Sequence, residues 1–332
     1  MSHPLFRDNG SHEHLIFLEK PDKMRLIRTI CLSLLLVAGL PWAGHAAAVV
    51  EAAAKSAEVA GKTEAPEGLP LYSVEIARIG PLPITNSMVV TWVVALALIL
   101  FARISMRKMA EVPSGSQNLC EWLVESLFGF LEGIIGHALA KKTFWFFATI
   151  FLFILFLNWF GLIPGVGTVG WGHATEHGFH LTRPWLRGAN ADLNMTLAMS
   201  MVFFACWIVW ALQTNGIGGF IKHIFGAKGD TAGAMKVLMF VVFLAVGLLE
   251  VVSILFRPVS LSFRLYGNVY AGENMLEAMA HIVPSLSWII PIPFYFLEIL
   301  VGLVQALVFM LLTAVFTLLI CQHDESHGEV HH

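Results

Sequence analysis

The sequence predicts an all-α, polytopic membrane protein. About five membrane-embedded helices are expected, the last two long, strongly tilted and paired as a hairpin, with one amphipathic helix lying at the membrane surface. Three observations lead there. Hydrophobic residues make up 57% of the 332 and charged residues only 13%, roughly half the charged fraction of a soluble domain. Apolar runs long enough for a span recur along the chain, each span needing about 20 residues. Basic residues collect at the ends of those runs that a single orientation would put on one side. The mean hydropathy of +0.74 agrees, and a net charge of −3 gives no electrostatic basis for a nucleic-acid partner.

The chain opens with a polar stretch, residues 1–23, that carries no recognisable pattern. From Met24 the layout is that of a secretory signal peptide: Arg25 and Arg28, the apolar "TICLSLLLVAGL", and the small-x-small site Gly44-His45-Ala46. Residues 24–46 are therefore expected to act as a leader, and the stretch before it as a translation-start artefact. An uncleaved anchor helix is the alternative. Residues 47–82 are Ala-rich and polar and read as a linker outside the cytoplasm.

The membrane domain is expected over residues 83–321. Its first span, Ser87 to Ala102, ends in "RISMRK", and Arg103, Arg107 and Lys108 mark that end as cytoplasmic. In Ser116 to Lys142, Leu119, Trp122, Leu123, Leu127 and Leu131 recur at helical spacing with Glu121, Glu125 and Glu132 between them. That is an interfacial amphipathic helix, and its acidity points to protein partners. A second span runs from Phe144 to Gly165 and stops at Pro164-Gly165. A Gly-rich loop follows, and Leu193 to Leu212 returns to a cytoplasmic side marked by Lys222 and Lys228. Two apolar regions remain, Met235 to Ile282 and Ile289 to Ile320. The first is too long for one perpendicular helix at about 1.5 Å per residue, so it must tilt, break at Pro258 or lie partly along the membrane. The tail, residues 322–332, is left in the cytoplasm.

Those last two regions hold the residues that composition makes costly: Glu250, Arg257, Arg264, Asn268, Glu273, Glu277, His281, Glu298 and Gln305. A charge at the bilayer centre costs roughly 2.5–3.5 kcal/mol on insertion scales. Such residues face partners or water, and the default reading is ion handling. For Arg257 and Glu277 the blander reading, snorkelling near an interface, is preferred; Arg264 has apolar sequence on both sides. Arg264 and Asn268 share a helix face, as do Glu298 and Gln305, and Gly267, Ala271, Gly302 and Ala306 allow close helix approach. Glu273 projects roughly opposite Arg264 at about 100° per residue, so the two are poorly placed to pair.

The run "PVSLSFRLYGNVYAGE", Pro258 to Glu273, resembles the signature of subunit a of the rotary F-type ATP synthase. "LNWFGLIPG", "ADLNMTLAM", "GIGGF" and "LVQALVFMLLTAVF" resemble further landmarks of that family, in its order, so that the resemblance covers about Pro83 to Gln322. Tyr266 stands where a Phe is usual, and carboxylates occupy both Glu273 and Glu298, where the family often has one histidine. The resemblance implies that Arg264 faces the ion-binding carboxylates of a rotor c-ring, with Asn268 and Gln305 beside it and Glu250, Glu273 and Glu298 lining aqueous half-channels. Asn158, Asn194, Glu176, His177 and His281 are weaker half-channel candidates. It also implies no catalysis by the chain alone, no cofactor, and b subunits of a peripheral stalk and membrane lipid as partners. The export-type leader points to a bacterial plasma membrane with the mature N-terminus outside, an organellar membrane being the alternative.

Two other classes compete. Intramembrane charges alone would also suit a stand-alone channel or secondary transporter, although no internal repeat is evident. "HATEH", His173 to His177, fits a metalloprotease pattern, but among 14 histidines and without a flanking soluble domain it is weak. No metal site is expected. Cys31, Cys120, Cys206 and Cys321 show no CxxC spacing and read as packing residues.

Overall fold

Among the described residues, five helices long and apolar enough to cross a membrane carry the architecture. The computed structural model describes residues 73–79, 82–107, 115–166, 169–175, 178–225, 234–282 and 286–321. The expected leader, its polar extension, most of the linker and the tail lie outside the described residues, as do Glu176 and His177. Strands β1 (Glu75–Ile79) and β2 (Leu82–Thr85) pair antiparallel and lead into α1 (Asn86–Ser105). Then come α2 (Ser116–Ile135), α3 (His137–Gly161), the antiparallel pair β3 (Gly170–Thr175) and β4 (Gly178–Pro184), and a single 3-10 turn (Ala189–Ala191). Three long helices finish the described chain: α4 (Leu193–Phe225), α5 (Ala234–Ile282) and α6 (Pro291–Cys321).

The candidate spans are α1, α3, α4, α5 and α6, and the predicted all-helical, polytopic class holds. The two hairpins are additions. They fall where a linker and a Gly-rich loop were expected, and strand pairing gives partners to backbone groups that no helix satisfies.

Helix α2 is amphipathic as expected, burying Leu127, Phe128, Leu131 and Ile135 along one face. It stops earlier than its apolar pattern suggests. Gly136 has φ 79°, a left-handed conformation that favours glycine, and residues 137–142 open α3 instead of closing α2. His137 Nδ1 lies 2.8 Å from Glu132 Oε1 across the corner, and its ring meets the edge of Phe128 at 5.9 Å.

Helix α3 forms the centre, with α1, α2 and α6 packed against it. Phe144, Phe147, Phe153, Ile154 and Leu157 are fully buried. Lipid is as apolar as these side chains, so close packing and hydrogen bonds between helices must hold the bundle. The ring of Trp210 on α4 lies 5.5 Å from Phe146 and 5.8 Å from Phe147. Trp207 Nε1 donates to the Phe316 carbonyl at 3.1 Å and Asn215 Nδ2 to the Ile320 carbonyl at 2.9 Å, joining α4 to α6. Past Asn215, α4 kinks at Gly216, with φ 66°.

Helix α5 runs through Pro258 without a break. Its apolar part has 42 residues, about 60 Å of helix against a bilayer core of roughly 30 Å, so it must run steeply inclined or project beyond the core. It is the least buried of the five, and Leu248, Leu249, Phe256 and Phe263 are all exposed. Its outer face is shaped to meet lipid or another chain.

Candidate ion-translocation site

Five polar residues meet where α5 crosses α6 and α3, with an arginine one helix turn away on α5. Arg264 is exposed on α5, and among the described residues it makes no hydrogen bond or ion pair. One turn further, Asn268 Nδ2 donates to Oε1 of buried Gln305 on α6 at 2.6 Å. Glu273 and Glu298 share a cleft with Asn268, Gln305 and Asn158. Thus the cleft gathers carboxylates from both long helices beside the face that carries Arg264.

Small residues bring these groups together. Gly302 on α6 lets Asn158 of α3 approach, and its carbonyl accepts from Asn158 Nδ2 at 3.0 Å. Asn190 of the 3-10 turn then donates to Asn158 Oδ1 at 2.6 Å. Gly272 on α5 leaves room for the Glu298 carboxylate, which any added Cβ would strike. Gly188 makes the same allowance for the carboxylate of Glu273.

The other sequence candidates lie elsewhere. Glu250 is on α5 about 20 Å of helix from Arg264, where its carboxylate meets Arg257 at 3.0 Å. The Arg257 guanidinium also stands 4.5 Å from the Phe316 ring centroid, so Arg257 is held by its own chain. Asn194 opens α4, its N–H bonding Asp192 Oδ1 at 2.9 Å, while its own Oδ1 is buried without a hydrogen bond among the described residues. His281 is exposed in the last turn of α5. Glu176 and His177 fall outside the described residues. Among those residues no group of three or more His, Cys, Asp or Glu could hold a metal ion.

Sequence reasoning missed three groups. Arg187 is only 5% exposed, and its Nε is 3.9 Å from Glu273 Oε2. Asp192, equally buried, accepts from Ser73 Oγ at 2.5 Å and Ser87 Oγ at 2.6 Å, which ties the segment before α4 to the start of α1. Asn190 is fully buried. The one signal was an Asp directly before a helical run, a common capping pattern.

A family model, ATP synthase A chain, matches residues 88–317. The chain belongs to that family. ATP synthase subunit a of Gloeobacter violaceus is 34% identical over 75% of this chain and 90% of its own length. The Moorella thermoacetica subunit a is 30% identical, over 73% of this chain and 94% of its own length. A Propionigenium modestum relative named "ATP synthase subunit a, sodium ion specific" is 31% identical over 70% of this chain and 73% of its own length. The match to the A chain family takes in all but the outermost residues of the five long helices and the whole cleft, and membership makes the chain a multi-pass component of a membrane sector.

Proposed function

We propose that this chain is the ion-translocating stator subunit of an F-type ATP synthase, coupling ion flow through two aqueous half-channels to rotation of a c-ring. The observation that carries the reading is Arg264: a permanent cation exposed on an apolar helix, unpaired among the described residues and beside a cleft holding two carboxylates. An arginine keeps its proton, with a pKa above about 12, and offers a fork of donors to a carboxylate. A rotor carboxylate that has released its ion is drawn to Arg264 and must be reloaded before it turns into lipid, where a bare charge is costly. Arg264 cannot relay protons and so separates entry from exit. Glu273 and Glu298 take and give ions on one path, with Asn158, Asn268 and Gln305 as polar lining. Glu250 serves the other path, near the cytoplasmic end. Each charge that crosses gains about 2.3 kcal/mol per 100 mV.

The setting follows from the charges. Arg103 and Arg107 at the end of α1 face the cytoplasm, which leaves α6 ending there too. The export-type leader makes the membrane a bacterial plasma membrane. The c-ring covers the outer face of α5, b subunits meet the acidic surface of α2, and the chain by itself catalyses no reaction. Proton is the coupling ion favoured here; ATP-driven transport that requires Na⁺ would overturn that choice. The function itself is tested in inverted vesicles. Arg264→Ala is expected to abolish ATP-driven pumping with the complex still assembled, and pumping at the unsubstituted rate would refute the reading.

A further inference from the structure

The least expected charge in the molecule is Arg187. It lies between β4 and the 3-10 turn, in a segment that reads as an exposed loop, yet it is 5% exposed. Burying a guanidinium is costly unless an anion compensates its charge. The carboxylate of Glu273, itself only 15% exposed, faces it at 3.9 Å.

The surrounding backbone is fitted to that approach. A Cβ on Gly188 would strike Glu273 Oε1, and one on Gly161 would come within 3.2 Å of the Gly188 Cα. The end of α3, the segment after β4 and the C-terminal part of α5 therefore converge on one carboxylate, with glycine backbone beside it. The segment is anchored in turn. Asp192 accepts from the Ser73 and Ser87 hydroxyls and from the Asn194 N–H, which ties the chain just after Arg187 to the start of α1.

We propose that Arg187 is a positioning residue for ion translocation: it holds the Glu273 carboxylate at the wall of the cleft and makes the segment 185–192 part of the ion path. The proposal rests on the function argued above. It assigns the chain two arginines with opposite duties. Arg187 faces a carboxylate of its own chain and fixes one that stays; Arg264 is open to carboxylates that pass.

The test uses the intact ATP synthase in liposomes, with ATP-driven pumping expressed per assembled complex. Arg187→Gln is expected to lower that rate at least tenfold, and Arg187→Lys to keep a substantial share of it. Gly188→Ala alters no charge but displaces the Glu273 carboxylate, and should lower the rate several-fold. A purely structural Arg187 would reduce the amount of complex and leave the rate per complex unchanged, which would overturn the proposal. If Arg187→Gln assembles poorly, the double variant Arg187→Gln/Glu273→Gln should assemble better, since it leaves no lone buried charge; no improvement would also count against the pairing. Arg264→Ala is measured alongside. Pumping retained there refutes the function, whereas loss there with full rates in the Arg187 and Gly188 variants refutes only this inference.

Discussion

Arg257 and Arg264 stand seven positions apart on one helix, about 20° short of two full turns, and their surroundings differ completely. Arg257 has a carboxylate at 3.0 Å and an aromatic ring centroid at 4.5 Å, both from its own chain. Arg264 is exposed and has neither among the described residues. The fold can satisfy an arginine in an apolar region, and does so nearby. The openness of Arg264 is therefore specific to its position, and a partner outside the chain accounts for it.

That contrast can be broken in four places. The largest effect is expected at Arg264 itself: Arg264→Lys, like Arg264→Ala, should abolish coupled ATP synthesis in reconstituted complex, because a lysine there can lose its proton. Normal synthesis would remove the reason for an arginine. Next is Gly272→Ala. The added methyl meets the Glu298 carboxylate, and overpacking costs about 1–3 kcal/mol, so pumping per complex should fall several-fold. An unchanged rate would take Glu298 out of the path. Asn268→Ala removes the donor to buried Gln305, a loss of about 1–3 kcal/mol, visible as a lower melting temperature of the complex with a partial fall in pumping. The smallest effect is expected of Arg257→Gln. Its pair with Glu250 is partly exposed and worth about 1 kcal/mol or less, so synthesis should persist with slightly lower thermal stability. Complete loss of synthesis in that variant would erase the distinction between the two arginines.

The apolar runs made the five long helices legible, and the cost of charge in such runs marked Arg264, Asn268, Glu273, Glu298 and Gln305. Four of those five line the cleft. Boundaries were harder to read. His137 to Lys142 look like the polar end of an amphipathic helix, and only the left-handed Gly136 separates them from it. Pro258 lacks the N–H that would meet the Ile254 carbonyl, which made a break conceivable, yet α5 continues through it. The burial of Arg187 and Asp192 was illegible for a different reason. In a loop, charge is ordinarily solvated, so sequence gives no cue that these two are buried until α5 and α1 close over them.

The most direct test of the central claim is the structure of the assembled complex, read as the distance from the Arg264 guanidinium to the nearest rotor carboxylate. The account predicts a c-ring carboxylate within about 4 Å of Arg264, directly or through one water, with Arg257 still held by Glu250. A c-ring turned away from this face of α5, with Arg264 folded back onto a carboxylate of its own chain, would contradict it.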